Sequence, residues 1–342
     1  MSKKITYTFS DKTVSYYLNA SFIEVVELTD RNKCIVITDS NVIKRHHKKF
    51  DGFKTIVIPA GEEHKNQATV ESIIGQLIAM EADRTYFLLG VGGGVVTDIT
   101  GYVAAIYMRG LSFGFAPTTV LAQVDAAIGG KNGIDVGIYK NLVGTIRQPD
   151  FILFDYSFLD SLPEQQWVNG FAEIIKHACI KDAELFALLE KNELSSFRYN
   201  DDLLASLIAT NILIKSDVVQ MDEFEQAERK LLNFGHTLGH AIENKYQLLH
   251  GYAISKGMVV AAEISEKLNQ FDPAEKKRVI NLLRRYNLPV AIDFDRQKAF
   301  ETLRMDKKRV SFSMNFVLLN RIGEATVKPI PLHELEQIIQ DL

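Results

Sequence analysis

The chain has 342 residues, of which 46% are apolar and 24% charged, and a formal net charge of −4. At roughly 150 residues per domain this predicts about two domains, with cores large enough to need no disulfide staples, and it excludes a disordered chain or a general nucleic-acid binder. No apolar run reaches the roughly 18 residues of a membrane span, and Met1 to Lys4 lead into an alternating Ile5, Tyr7, Phe9 pattern instead of a signal-peptide core, so neither a membrane nor export is expected.

In chain order, Lys33 to Asp39 reads as a buried strand ending in an acid. Phe53 to Ile58 reads as a second strand, stopped by Pro59. Ala68 to Ala82 has helical apolar spacing at Val70, Ile73, Ile74, Leu77 and Ile78, and Tyr86 to Val91 is a third strand. Such alternation predicts a parallel sheet with crossover helices. Past residue 160 helical patterns dominate, over 164–190, 201–221, 228–245, 252–269 and 273–286. Pro163 suits a first helical position, and Asp272-Pro273-Ala274-Glu275 combines an N-cap acid with Pro at N1 and Glu at N3. A short β-like segment, Phe312 to Leu319, comes late. These patterns predict an α/β domain over 1–160 and a mostly α-helical domain over 161–342. The only two cysteines, Cys34 and Cys179, exclude a disulfide framework and make a reducing cytoplasm the expected compartment.

Gly90 to Asp98 follows a strand and opens a helix, so Gly92, Gly93 and Gly94 can let a phosphate approach backbone N–H groups at a helix N-terminus. The dinucleotide fingerprint G-x-G-x-x-G fails, because Val95 takes the third glycine's place, and no acid follows about 20 residues on. Gly129-Gly130-Lys131 is not a P-loop either, since Asn132 replaces its Ser or Thr. It nevertheless places a glycine pair between the charges of Asp125 and Lys131.

Among eight histidines, His46 and His47 sit in a basic run and His333 lies near the C-terminus. His236 and His240 are four apart, which puts them on one helix face at metal-ligand spacing, without the Glu that marks zinc proteases. His250 follows ten positions later in a loop-like stretch. Glu173 is an acid inside an apolar helical run, costly unless paired or metal-bound, and His177 shares its face. A His₂Glu set with an open position is a catalytic zinc arrangement. By spacing, Glu173, His177, His236, His240 and His250 compete for three places. Arg109, Lys131, Lys140, Lys176, Lys215, Arg229 and Lys307 all adjoin polar motifs, which suggests a small anionic substrate.

Together these motifs resemble the 3-dehydroquinate synthase family from about Asp39 to Lys308. The matching segments are Gly61-Glu62-Glu63-His64-Lys65, Gly92-Gly93-Gly94 with Asp98, Arg109-Gly110, Pro117-Thr118-Thr119 with Asp125, Gly129-Gly130-Lys131 and Lys140-Asn141. The second half adds Glu173 with Lys176, Lys215, Asp222-Glu223 with Arg229, Asn233 to His240, His250-Gly251 and Asp306-Lys307-Lys308.

The resemblance implies an α/β NAD-binding domain joined to a mostly α-helical metal-binding domain. It implies a divalent metal, zinc or cobalt, on Glu173, His236 and His250, with no role for His177. Asp39, Glu62, Lys65, Gly93, Gly94, Asp98, Thr118, Thr119 and Lys140 fall on NAD positions. Asp125, Lys131, Asn141, Lys176, Lys215, Arg229, Asn233, His240 and Lys307 fall on substrate positions, and Arg109 on a phosphate position reached from a neighbouring subunit of a homodimer. The implied substrate is 3-deoxy-D-arabino-heptulosonate 7-phosphate, a phosphorylated keto-acid sugar. Its conversion proceeds by transient oxidation, loss of phosphate, re-reduction and aldol closure. The sequence departs from the family's usual Gly at Thr97, Ser at Ala126 and Ala127, Asn at Asp135 and Glu at Tyr252.

Overall fold

The structure, a computed structural model, describes residues 3–137, 139–306 and 312–342. Two compact units divide the chain: Met1–Gln166 with Lys215–Glu223, and Trp167–Ile214 with Phe224–Leu342. The long helix Asp201–Met221 therefore contributes residues to both.

The first unit holds strands β1 (Lys3–Thr8), β2 (Thr13–Leu18), β3 (Cys34–Asp39), β4 (Lys54–Ile58), β5 (Phe87–Gly92), β6 (Ser112–Pro117), β7 (Lys131–Val136), β8 (Tyr139–Ile146) and β9 (Phe151–Phe154). Seven of them form one sheet in the order β1-β2-β9-β6-β5-β3-β4, parallel except for the β1–β2 hairpin. β3 and β9 bury both faces, which is why they read as unbroken apolar runs and not as alternating patterns. From β3 the chain crosses to β4 on one side, and from β5 to β6 on the other. The carboxyl ends of β3 and β5 thus flank the switch point where open α/β sheets bind ligands. The separate β7–β8 hairpin was not anticipated from the sequence.

The expected helix over 68–82 is Gln67–Ala79, capped by the Asn66 side chain, which accepts from Thr69 N–H. It buries Val70, Ile73 and Leu77 but leaves Ile78 in solvent. Asp155 ties the strand ends together. Its carboxylate accepts from Lys49 Nζ at 2.8 Å, Ser157 Oγ at 2.6 Å and Phe22 N–H at 2.9 Å. Cys34, within β3, is a free thiol that burial pushes up to about 11, and burial raises Cys179 of the second unit further still.

The second unit is largely helical, with three boundaries the sequence pattern missed. The helical run expected over 164–190 breaks after Glu164–Lys181, because the Asp182 side chain caps a new helix, Ala183–Lys191, through the N–H groups of Glu184 and Leu185. The expected 228–245 helix is a 3₁₀ turn, Glu228–Asn233, then Gly235 at φ +77°, then the helix His236–Tyr246. His250, expected in a loop, is the first residue of the helix His250–Asn269. That helix and His236–Tyr246 meet backbone to backbone: a Cβ on Gly257 would lie 1.9 Å from the Gly235 carbonyl oxygen. Asp272 caps Pro273–Arg285 as expected, through Ala274 N–H at 2.7 Å. The late β segment is β10 (Ser313–Arg321), paired antiparallel with β11 (Glu324–Pro331), and a helix, Leu332–Gln340, follows. Among the described residues no helix is long and apolar enough to cross a membrane.

Candidate active site

In the first unit the strand ends supply a backbone cradle. The helix Gly94–Ile106 starts at the carboxyl end of β5 with Gly93 as N-cap, which has no side chain to cap the leading amides. A Cβ on Gly92 would lie 2.4 Å from Val96, so glycine is what lets helix and strand approach this closely. Thr119 packs beside Gly93, and Thr118 donates its N–H to Gly92 O at 2.9 Å. Asp39 closes β3 and accepts from Asn41 and Val42 N–H, while burial pushes its carboxyl up.

The helix that opens at this cradle joins a chain of charges. Lys65 is buried, ion-paired with Asp98 of the Gly94–Ile106 helix, and donates to Asn141 Oδ1 at 2.6 Å. Burial opposes its charge, but Asp98 and Glu62 outweigh that and hold the ammonium above its usual range. Lys140 Nζ lies 2.8 Å from Glu62 and 3.4 Å from Asp135. Asp125 sits in a π-helical turn, Ala122–Ala126, the kind of distortion that re-aims a side chain. Lys215 pairs with it at 2.8 Å and donates to its carbonyl oxygen at 2.6 Å.

Lys131 opens β7 on an exposed position. Arg109 is exposed too, at φ +66°, at the end of the 3₁₀ turn Tyr107–Arg109. Thr97, at a position where the family usually has Gly, is buried and donates its hydroxyl to Gly94 O at 3.0 Å. Ala126 and Ala127 close the π turn, with Ala126 packed against Gly94.

In the second unit three helices converge on Glu173, which is fully buried. His236 Nε2 lies 3.5 Å and His250 Nε2 3.3 Å from Glu173 Oε1, and Lys176 pairs with Oε2. Each imidazole is held from behind. His236 Nδ1 is 3.1 Å from Phe234 O, and His250 Nδ1 is 3.1 Å from Glu243 Oε2. Both partners accept, so both Nδ1 atoms donate, and both Nε2 atoms face Glu173. Burial holds His236 well below its usual range, in the neutral form that ligates metals. Burial opposes the charge on His250 as well, yet Glu173 and Glu243 push it up to about 10. The three ligand atoms lie within 4.8 Å of one another, and two imidazole nitrogens with one carboxylate are a donor set for zinc or cobalt.

Of the five spacing candidates, the structure places His240 beside the cluster, its ring centroid 5.2 Å from that of His236. His177 turns to Asn211, with Nδ1 3.0 Å from Oδ1. Arg229 is buried in the 3₁₀ turn, and Asn233 donates to Glu225 Oε1 at 2.6 Å, lining a small cavity with Thr237 and Asn315. Tyr252 is half-buried in the first turn of its helix. Lys307 and Lys308 lie outside the described residues. Sequence reasoning missed Glu243 as a partner of His250. Its signal was spacing: it stands three positions after His240 on the same helix face.

Fold and clusters define the class first. A solved 2-deoxy-scyllo-inosose synthase, complexed with carbaglucose-6-phosphate, NAD+ and Co2+, superposes with a TM-score of 0.87 at 25% identity, covering 99% of both chains. A 2-epi-5-epi-valiolone synthase from Streptomyces hygroscopicus, with NAD+ and Zn2+ bound, gives 0.87 at 25% identity over 100% of this chain and 98% of that one. This chain shares the fold of these synthases. Its sequence also matches the 3-dehydroquinate synthase N-terminal model over residues 55–169 and the C-terminal model over 170–309. A 3-dehydroquinate synthase from Campylobacter concisus is 37% identical over 335 residues, 95% of each chain. The chain belongs to the 3-dehydroquinate synthase family.

Proposed function

We propose that this chain converts 3-deoxy-D-arabino-heptulosonate 7-phosphate to 3-dehydroquinate and phosphate, using NAD and one divalent cation, zinc or cobalt. The observation that carries the reading is the convergence of His236 and His250 Nε2 on Glu173, in a member of this family. Glu173, His236 and His250 would hold the cation. When bound, NAD takes up and returns a hydride and the cation makes a substrate hydroxyl more acidic.

The chain's own residues bind and orient. Amides at Gly93 and Gly94 would meet the cofactor's phosphates, and Asp39, Glu62, Lys65, Asp98, Thr118, Thr119 and Lys140 would line its pocket. A carboxylate and a phosphate on one small substrate each call for cations. Lys131, Lys176, Lys215 and Arg229 would supply them, with Lys307, which lies outside the described residues. Asp125, Asn141, Asn233 and His240 offer polar contacts to hydroxyls. Fixed positions for these groups convert binding into rate, because a correctly oriented substrate has less entropy to lose.

The protein acts as a cytoplasmic homodimer in this reading. Leu142 and Ile146, four apart and so on one face of β8, are both exposed, with Leu142 at 62%, an apolar pair suited to a second copy. Arg109 then serves the neighbouring subunit's phosphate site. Leu142→Lys is expected to shift the sedimenting species from dimer to monomer.

Elimination of the phosphate on carbon 7 needs an acidic proton on carbon 6, and hence a transient ketone at carbon 5, so the decisive experiment uses substrate deuterated at carbon 5. The label is expected to stay in the product, with no NADH accumulating over many turnovers. NADH rising in proportion to product would replace this reading with a metal-dependent alcohol or polyol dehydrogenase.

A further inference from the structure

Asp135 belongs to neither residue set above, yet three contacts meet at it. The pairing of β7 with β8 shifts register between Ile134 and Val136, so Asp135 sits at an irregularity, a place where a strand re-aims a side chain. Its Oδ1 accepts the Asn141 N–H at 2.7 Å, and its Oδ2 lies 3.4 Å from Lys140 Nζ. Its own N–H donates to the Lys65 carbonyl oxygen at 2.8 Å. The carboxylate side chain is only 14% exposed, so these contacts are poorly screened by solvent.

What these contacts hold is a less common backbone conformation. Asn141 has φ +52°, in the left-handed region that asparagine tolerates better than other residues with a side chain, and the Asp135 contact selects that conformation here. In that conformation its amide oxygen accepts from Lys65 Nζ, and Lys65 pairs with Asp98 on the helix that opens at Gly94. A rigid path thus runs from Asp135 through Asn141 and Lys65 to Asp98, with a branch through Lys140 to Glu62.

We propose that Asp135 is a positioning residue: it fixes Asn141 and Lys140, and through Asn141 the Lys65 ammonium, in the arrangement the dinucleotide pocket requires. The inference rests on the NAD reading above. An asparagine, usual in the family here, can accept the Asn141 N–H but cannot pair electrostatically with Lys140. The aspartate does both.

The test is calorimetric titration of NAD into the metal-loaded protein. Asp135→Ala removes both contacts and is expected to weaken NAD binding about tenfold or more. Asp135→Asn keeps an acceptor and is expected to weaken it about threefold. This graded rescue should appear with unchanged thermal midpoint and unchanged metal affinity in Asp135→Asn, which a general loss of structure would not give. NAD affinity within twofold of the native value in Asp135→Ala, or equal losses in both variants, overturns the proposal. Should Asp135→Ala fail to fold, an unchanged affinity in Asp135→Asn alone overturns it. Failure of the native protein to bind NAD would instead overturn the dinucleotide reading.

Discussion

Lys65 and Glu173 are both buried charges, and the two units stabilise them differently. Around Lys65, opposite charges alternate: Glu62, Lys140, Asp135, then Asn141, Lys65 and Asp98. Around Glu173, two imidazoles point their Nε2 atoms inward while their Nδ1 atoms are anchored to Phe234 and Glu243. In the first arrangement each ammonium meets carboxylates of its own chain, so breaking a pair leaves a buried charge uncompensated. The second is a set of donors turned toward one point, which a cation completes. Removing a member should therefore cost stability in the first region and cation affinity in the second.

The sharpest way to break this contrast is His236→Ala. Losing a direct ligand is expected to cost more than the roughly 10–100-fold typical of supporting groups, measured by chelator competition. His177→Ala, which removes a contact to Asn211, should keep the metal. Equal metal loss in both variants would show that the wrong histidine was chosen.

On the other side, Asp98→Ala leaves the Lys65 ammonium buried without its carboxylate. A loss of about 3 kcal/mol in urea unfolding is expected, with metal affinity unchanged. A variant as stable as the native chain would mean that Lys65 draws its compensation from elsewhere.

Glu243→Gln sharpens the comparison more gently. It keeps an acceptor for His250 but removes the charge, so metal affinity should fall about tenfold while unfolding barely moves.

The smallest effect belongs to the thiols, outside both clusters. Thiolate is the reactive form, and burial holds Cys34 at about 11, so at pH 8 roughly one part in a thousand is reactive. Native protein should resist thiol reagents at pH 8, with reaction rising only as pH climbs toward 11 or the chain unfolds. Rapid labelling at pH 8 would mean that β3 opens readily.

Much of this was readable in the sequence, for reasons that differ by element. β3 and β5 were visible because strands buried on both faces become unbroken apolar runs, and Asp272-Pro273 because cap chemistry is local. Spacing alone left five residues competing for the metal. The family resemblance chose among them, since which helix faces meet depends on contacts between distant segments. The helix start at His236 was hidden because it depends on the backbone angle of Gly235, and the start at His250 because Leu249 offers no side-chain cap. The β7–β8 hairpin escaped because β8 is mostly exposed and lacks the clean alternation of a half-buried strand. Asp135 stood out only as a departure from the family. Its three contacts come from a register shift that no linear pattern encodes.

Gly257 has a consequence for how tolerance to mutation should be mapped. It carries no reactive group, yet any side chain there meets the Gly235 carbonyl oxygen and forces apart the two helices that carry His236 and His250. A saturation scan read by growth or turnover would score Gly257 as harshly as the histidines. An observer ranking positions by intolerance alone would draw a reaction centre that includes an inert backbone crossing. Retained fold with lost cation binding in Gly257→Ala would mark it as a spacer setting the distance between donors, the role of a shim rather than a reagent.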